Sequence, residues 1–483
     1  MRGFRLLRRV RVLGALSTVS VMAGACMVGP DYVRPSVEQP ARFKSQAISE
    51  AGPPIPEKWW RLYREPELDR LIATASESNQ TLRQAVARVD EARALARVAG
   101  SYLYPTISNN PSFSRTRYSA NRDSTLTGQK VQQGVTVNDW LIPFDLTYEI
   151  DVWGRVRRSF ESARAQAKAS ADDADAIRLI VETDVTRFYY TLRSLDAQAQ
   201  ILERTVVAYR EQVRLLSVQL RTGLVGPIVV SQAQAQLQTT LALQRDVLRT
   251  RADQEHALAI LCGRPAPSFA VDINPLGEVS PPAVPPGLPA QLLARRPDVA
   301  RAEQSLVAAN AQIGVATAEF YPRFTLTSSA GFESADIATL FNWQSRVASI
   351  LPSVSIPIFQ GGRLRANLEA TKARYRQAVA AYTNQILIAY GDVEDALTDL
   401  HALTDIVGSL RQAVSASQDY LRFAQAQYKY GLVDYLIVID AERTLLANEL
   451  SLALAVNLQM GASIQLIKAL GGGWNPSEDG PPR

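Results

Sequence analysis

Two very long stretches of this chain keep an uninterrupted helical pattern of apolar and polar positions. Residues 155 to 222 contain neither glycine nor proline, and their Ala, Leu, Val, Gln and Arg content suits helix throughout. At 1.5 Å per residue such a helix is about 100 Å long. Residues 363 to 430 lack proline and hold only Gly391 and Gly408, which predicts a second helix of nearly the same length. Each stretch ends at a glycine turn, Gly223 or Gly431, and each turn leads into a further helical stretch, 228 to 262 or 434 to 470. The pattern predicts two long helical hairpins held in a bundle or coiled coil. A helix over 66 to 103 and the one over 228 to 262, stacked end to end, match the long helix beside them in length.

Strand-like alternation precedes each long helix. In "PFDLTYEI", 143 to 150, Phe144, Leu146, Tyr148 and Ile150 fall on one side and Asp145, Thr147 and Glu149 on the other, the period-two pattern of a strand. "FTLTSSAGF" from Phe324 and "SVSIPIF" from Ser353 alternate similarly, whereas "ISNNPSFSRTRY", 107 to 118, does so poorly. The prolines at 143, 352 and 357 disfavour sheet interiors, because proline lacks the ladder donor. About two hairpins, hence about four strands, are expected, and a membrane barrel needs at least about eight. Either the strands form a small soluble sheet, or several chains pool them into one barrel. A pooled barrel continuing into a helical tube uses the long helices as well.

The two halves repeat. Gly154-Arg155 matches Gly362-Arg363, and Gly223-Leu224-Val225 matches Gly431-Leu432-Val433, both at an offset of 208; Tyr104-Pro105 and Tyr321-Pro322 match at 217. A unit of about 210 residues is too long for a solenoid repeat, so a half-protein has been duplicated. Residues 265 to 297 hold nine of the 26 prolines, a linker composition. The expected organisation is a leader over 1–25, a first repeat over 26–264, a Pro-rich linker over 265–297, a second repeat over 298–472 and a tail over 473–483.

The formal net charge of +5 changes this picture little. Arginines 2, 5, 8, 9 and 11 supply five positive charges within the first 25 residues, which hold no acid, so the remainder is neutral. That argues against a nucleic-acid partner, which needs a basic face. The same residues read as an export signal: an Arg-rich start, the apolar run "VLGALSTVSVM", then "AGAC" ending at Cys26. Cys26 is either the lipid-modified first residue of a lipoprotein or a free thiol near an ordinary cleavage site. No later stretch offers about 18 consecutive apolar residues, so membrane spanning, if any, must come from strands.

Enzyme chemistry is not indicated. His256 and His401 are the only histidines and lie far apart in helical stretches, and Cys26 and Cys262 show no metal-ligand spacing. Neither a phosphate-cradling glycine loop nor a nucleophile elbow occurs. The expected cofactor set is empty apart from a covalent lipid on Cys26.

In order along the chain, "CMVGPDYVRP", "WWRLYREPELDRLI", "YEIDVWGRVRR", "LLARRPDVARAE", "AQIGVATAEFYPRFTLT", "PIFQGGRLRANLE", "YKYGLVDYLIVIDAERTLL" and "LIKALGGGW" resemble the outer-membrane efflux proteins of Gram-negative bacteria, in the lipoprotein branch serving multidrug pumps. The resemblance implies a mainly α protein with a β-barrel portion. The resemblance further implies a homotrimer that shares a 12-strand transmembrane barrel, four strands per chain, above a long α-helical barrel crossing the periplasm. The same resemblance implies a periplasmic adaptor protein and an inner-membrane, proton-driven RND-type transporter as partners, contact with outer-membrane lipid, and a location in the outer membrane. The motif departs in one place, since Ala23 stands where an aliphatic residue usually lies three before the lipidated cysteine.

Asp440 has two readings. From spacing, Leu436 and Asp440 share a helical face, and Arg443, three residues on, is a candidate salt-bridge partner on an ordinary solvated surface. The resemblance instead implies that Leu436 and Asp440 narrow the periplasmic mouth of the tube, three Asp440 carboxylates forming a ring. The first hairpin carries Ile228 and Gln232 at the matching places, so this ring has three members rather than six. Asp434 is expected to cap the helix after the Gly431 turn. Tyr148 and Trp153 are either packing residues or part of an aromatic girdle at a membrane interface. With the same fold, a duct for peptide or protein secretion is the alternative, although the lipoprotein start favours drug efflux; a lipid-anchored periplasmic coiled-coil scaffold without a pore is the alternative of a different class.

Overall fold

A computed structural model describes residues 27–40, 42–44, 55–120, 134–277, 279–284 and 295–475. Cys26 and the leader lie outside the described residues. The elements run α1 (Pro66–Ser78), α2 (Gln80–Ser101), β1 (Thr106–Asn109), β2 (Ser112–Arg117), β3 (Thr136–Ile150), α3 (Arg155–Arg221), α4 (Pro227–Leu261), α5 (Pro297–Ala318), β4 (Arg323–Ser334), β5 (Arg346–Ser355), α6 (Arg363–Lys429) and α7 (Tyr435–Ala469), with short 3-10 turns between some of them.

The long helices fall where the pattern places them, α3 and α6 each having 67 residues and α4 and α7 each 35. The helix expected over 66 to 103 is broken at Asn79. Its side chain accepts from the Leu82 amide at 2.9 Å, capping α2, and donates to the Leu261 carbonyl at 2.8 Å. Asn79 thus joins the start of α2 to the end of α4, so the piece that abuts α4 is the 22-residue α2 and not the whole 66 to 103 stretch whose length was matched to the long helix. The second half repeats the device with different chemistry: buried Arg296, just before α5, donates to the Ala469 carbonyl at the end of α7 at 3.0 Å. Gly263 and Gly471 follow α4 and α7 with φ of +62° and +91°, and a Cβ on either would lie 2.2 Å from Ser78 O or 1.9 Å from Arg295 O. Only glycine fits both the left-handed turn and that approach.

All five strands form one antiparallel sheet in the order β1–β3–β4–β5, with β2 following β1 along the same edge of β3. Two boundaries differ from the alternation. Strand β3 begins at Thr136 rather than near Pro143, and the last strand covers Arg346–Ser355 rather than starting at Ser353. Pro143 is tolerated inside β3 because of a break in its neighbour. Asn109 pairs with Phe144 and Ser112 with Leu141, so residues 110 and 111 lie opposite the proline. The Pro143 carbonyl faces that side, accepting from Asn109 Nδ2 at 2.7 Å. The missing N–H therefore falls where no ladder bond is made.

The chain divides into two compact units, each drawing on both sequence repeats. One holds the sheet with residues Asp90–Ala169 and Glu303–Ala381; the other holds the remaining lengths of the long helices with α1 and α4. The core of the latter gathers Trp59, Tyr63, Leu68, Ile72, Val185, Tyr190, Leu258, Met460, Ile464 and Ile467. Helix α7 is long and apolar enough to span a membrane by composition, yet half of its most apolar window is buried, with Met460, Ile464 and Ile467 in this core.

Candidate functional site

Both hairpin turns have the same backbone. Leu224 N–H bonds the Gln219 carbonyl and Gly223 N–H the Leu220 carbonyl, at 2.9 and 3.1 Å; Leu432 to Gln427 and Gly431 to Tyr428 repeat this at 2.9 Å each. This is the Schellman closure, with Gly223 and Gly431 at φ +74° and +70° supplying its left-handed residue. Asp434 occupies the N-cap position of α7, but its side chain makes no cap bond; its carbonyl accepts from Ile437 N–H instead.

Beyond the turns, Leu216, Val230, Ala233, Ala424, Tyr435, Val438 and Ala441 form one apolar cluster drawn from α3, α4, α6 and α7. Tyr435, Val438 and Ala441 recur every third residue, so they commit one face of α7 to that cluster. Leu436, Asp440 and Arg443 fall on the opposite, exposed stripe, Leu436 being 53% exposed. Among the described residues no ion pair joins Asp440 to Arg443, in contrast to the spacing-based candidate. Tyr420 on α6 takes that place, its hydroxyl donating to Asp440 Oδ2 at 3.1 Å, while Arg443 acts electrostatically on Tyr209 of α3. A 20-residue sequence separation hid the Tyr420 contact; only the packing of α6 against α7 creates it. In the first hairpin Ile228 is 68% exposed and Gln232 is exposed too.

The sheet is unusual for a soluble protein. Within its five strands only Pro143 is buried. Residues paired across an antiparallel ladder share a face. The registers therefore place Ile107, Phe144, Leu146, Tyr148, Ile150, Phe324, Leu326, Ile350 and Val354 together on one side, and Ser108, Asp145, Thr147, Glu149, Thr325, Thr327, Ser329 and Ser353 on the other. Neither side is covered within the chain: Ile107 is 68%, Phe144 55%, Ile350 75% and Val354 56% exposed on the apolar side, while Ser108, Thr147 and Ser353 are exposed on the other, where Leu351, opposite Thr327, is the large apolar exception at 64%.

At the strand-to-helix junction Trp153 stacks on Tyr321 with centroids 4.8 Å apart and donates from Nε1 to the Pro322 carbonyl at 2.8 Å. Tyr148 belongs to the apolar sheet face, opposite Leu326. Arg155 holds Glu149 through two bonds of 2.8 and 2.7 Å, an interaction that pushes the guanidinium pKa up. The first described residues are docked on the same unit. Val28 N–H bonds the Trp153 carbonyl at 3.1 Å, Asn310 Nδ2 bonds the Pro30 carbonyl at 3.0 Å, and buried Arg158 pairs with Asp31 at 2.7 Å. Met27 packs on the junction itself, since a Cβ on Gly154 would lie 2.7 Å from its Cγ.

Residues 71–264 and 288–472 match the family described as "Outer membrane efflux protein". The chain belongs to that family. Among its relatives this efflux protein is 32% identical over 473 residues to the toluene efflux pump outer membrane protein TtgI of Pseudomonas putida, covering 95% of this chain and 98% of the relative. It is also 32% identical over 470 residues to the cation efflux system protein CusC of Escherichia coli, covering 94% and 97%. Its fold superposes on the outer-membrane channel OprN with a TM-score of 0.87 at 28% identity, over 93% of this chain and 100% of that one. Membership of an outer-membrane family accounts for a sheet that leaves so apolar a side uncovered.

Proposed function

We propose that this efflux protein is the passive exit duct of a tripartite pump, carrying small molecules from periplasm to exterior while an inner-membrane RND-type transporter supplies the energy and a periplasmic adaptor joins the two. The observation that carries this reading is the uncovered apolar sheet face with a polar face behind it, the inside-out pattern of a transmembrane barrel. Four sheet lanes in one chain cannot close, so three copies pool them into 12 strands. Tyr148 and Trp153 then sit at the interface with lipid, and Cys26, next in sequence to Met27, carries the lipid anchor.

In this arrangement Leu436 and Asp440, on the free stripe of α7, face the axis and narrow the periplasmic mouth. Arg443 lies one turn further along the same stripe. The ring of three carboxylates favours cations at the mouth, and the ring of three leucines forms an apolar constriction. Equal similarity to a toluene and a cation efflux component assigns no cargo, which suits a duct whose transporter does the selecting.

Purified protein in planar bilayers is expected to give discrete conductance steps, larger in Leu436→Gly. A protein giving no steps would point to the pore-free scaffold, and a Leu436→Gly channel conducting like wild type would remove Leu436 from the constriction. Cells fed radioactive fatty acid are expected to label the wild-type chain and not Cys26→Ser; a wild-type chain that never takes up label rules out the anchor.

A further inference from the structure

Two residues past Asp440, Glu442 points the other way. It lies partly buried against α3, where the Gln212 amide reaches its two carboxyl oxygens at 3.3 and 3.2 Å. These are long bonds, and an ionised carboxylate has room for about four donors. The flanking side chains are Tyr209 of α3 and Tyr435 of α7, 2% and 8% exposed. The Tyr435 hydroxyl has no hydrogen-bond partner among the described residues. Glu442 acts electrostatically on both tyrosines. From α4, Gln236 interacts with Tyr209; from α6, Tyr428 packs on Tyr435 with ring centroids 5.2 Å apart. Arg443 also acts on Tyr209, but no ion pair holds Glu442 among the described residues. A negative charge here is therefore served by one stretched amide and no cation, which leaves most of its cost of burial uncompensated, whereas the neutral acid avoids that cost.

We propose that Glu442 is a proton-operated latch on the seam between the two helical hairpins, packing α7 against α3 when neutral and loosening that seam when ionised. Because the same turns of α7 carry Leu436 and Asp440, the latch couples periplasmic proton concentration to the mouth. That coupling rests on the channel reading above; the latch itself does not. Burial pushes the Glu442 carboxyl from 4.5 up to about 7, with Gln212 opposing. A carboxyl held above its unfolded value binds its proton more tightly in the packed state. Packing is thus strongest in acid and weakens as pH climbs from the unfolded value through about 7.

The test is hydrogen exchange of the full chain in detergent, followed over residues 205–216 and 435–446 at about pH 6 and about pH 8.5 and corrected for intrinsic exchange. Protection of these segments is expected to fall roughly tenfold between the two conditions in wild type. Glu442→Gln, neutral at every pH, should hold the acid-side protection throughout. Gln212→Leu, which removes the one donor to the charged form, should deepen the fall, and adding Glu442→Gln in that background should flatten it. Asp440→Ala should keep the wild-type slope. A flat wild-type profile, or a slope that survives Glu442→Gln, overturns the latch. Bilayer recordings at the same two conditions separate the claims. Channels that conduct beside a flat exchange profile sink the latch and leave the duct standing. A Glu442-dependent exchange slope in protein that forms no channels upholds the latch and sinks the duct.

Discussion

Asp440→Ala channels are expected to conduct more than wild type and to lose about tenfold in affinity for a trivalent cationic blocker. Two opposite unit charges about 10 Å apart in water attract by about 0.4 kcal/mol. A trivalent ion centred on three carboxylates collects several such terms, about 4 kcal/mol before screening, and salt at physiological strength removes more than half of that. What remains, about 1.4 kcal/mol, corresponds to about tenfold in binding. The structure supports the geometry of this argument at the level of one chain. Asp440 sits on the stripe of α7 left free by the turn cluster, and the only hydrogen bond to its side chain among the described residues comes from the Tyr420 hydroxyl rather than from a cation. Conductance and block both unchanged in Asp440→Ala would take this residue out of the mouth.

Arg296→Met is expected to cost about 3–5 kcal/mol of stability, read as a lowered denaturant midpoint of the protein in detergent. Arg296 is 7% exposed, and its guanidinium binds Asp298 through bonds of 3.0 and 2.7 Å, Asp392 at 2.9 Å and the Ala469 carbonyl at 3.0 Å. Removing it leaves two carboxylates facing each other with their shared cation gone, and the Ala469 carbonyl without its donor. Adding Asp298→Asn and Asp392→Asn to Arg296→Met should restore part of the loss, because the uncompensated charges go too. A single variant as stable as wild type, or no recovery in the triple variant, would contradict this account. The matched site in the first half, Asn79, is neutral, so Asn79→Ala should cost less, about 1–3 kcal/mol.

That pair of sites shows where the sequence stops being readable. Asn79 and Arg296 are 217 apart, and Leu261 and Ala469 are 208 apart, the two offsets already visible in the Tyr-Pro and Gly-Arg repeats. The repeat could have located both contacts, but Asn and Arg do not look alike, and the shared role is donation to a helix-end carbonyl. Strand boundaries failed for a related reason. Alternation marks which residues share a face, while the limits of β3 and β5 are set by which neighbour offers ladder partners, as the break opposite Pro143 shows.

By itself the sequence determined the four long helices, their glycine turns, the duplication and the family, because these depend on local propensity, on left-handed turn residues and on ordered motifs. Tertiary structure alone decided the rest. It left the apolar sheet face uncovered, gave Asp440 a tyrosine from the next helix in place of Arg443, and faced Glu442 into the seam while Asp440 faced away. Each of these depends on which helix or strand lies alongside, and residues many turns apart in the chain meet only once the hairpins have packed.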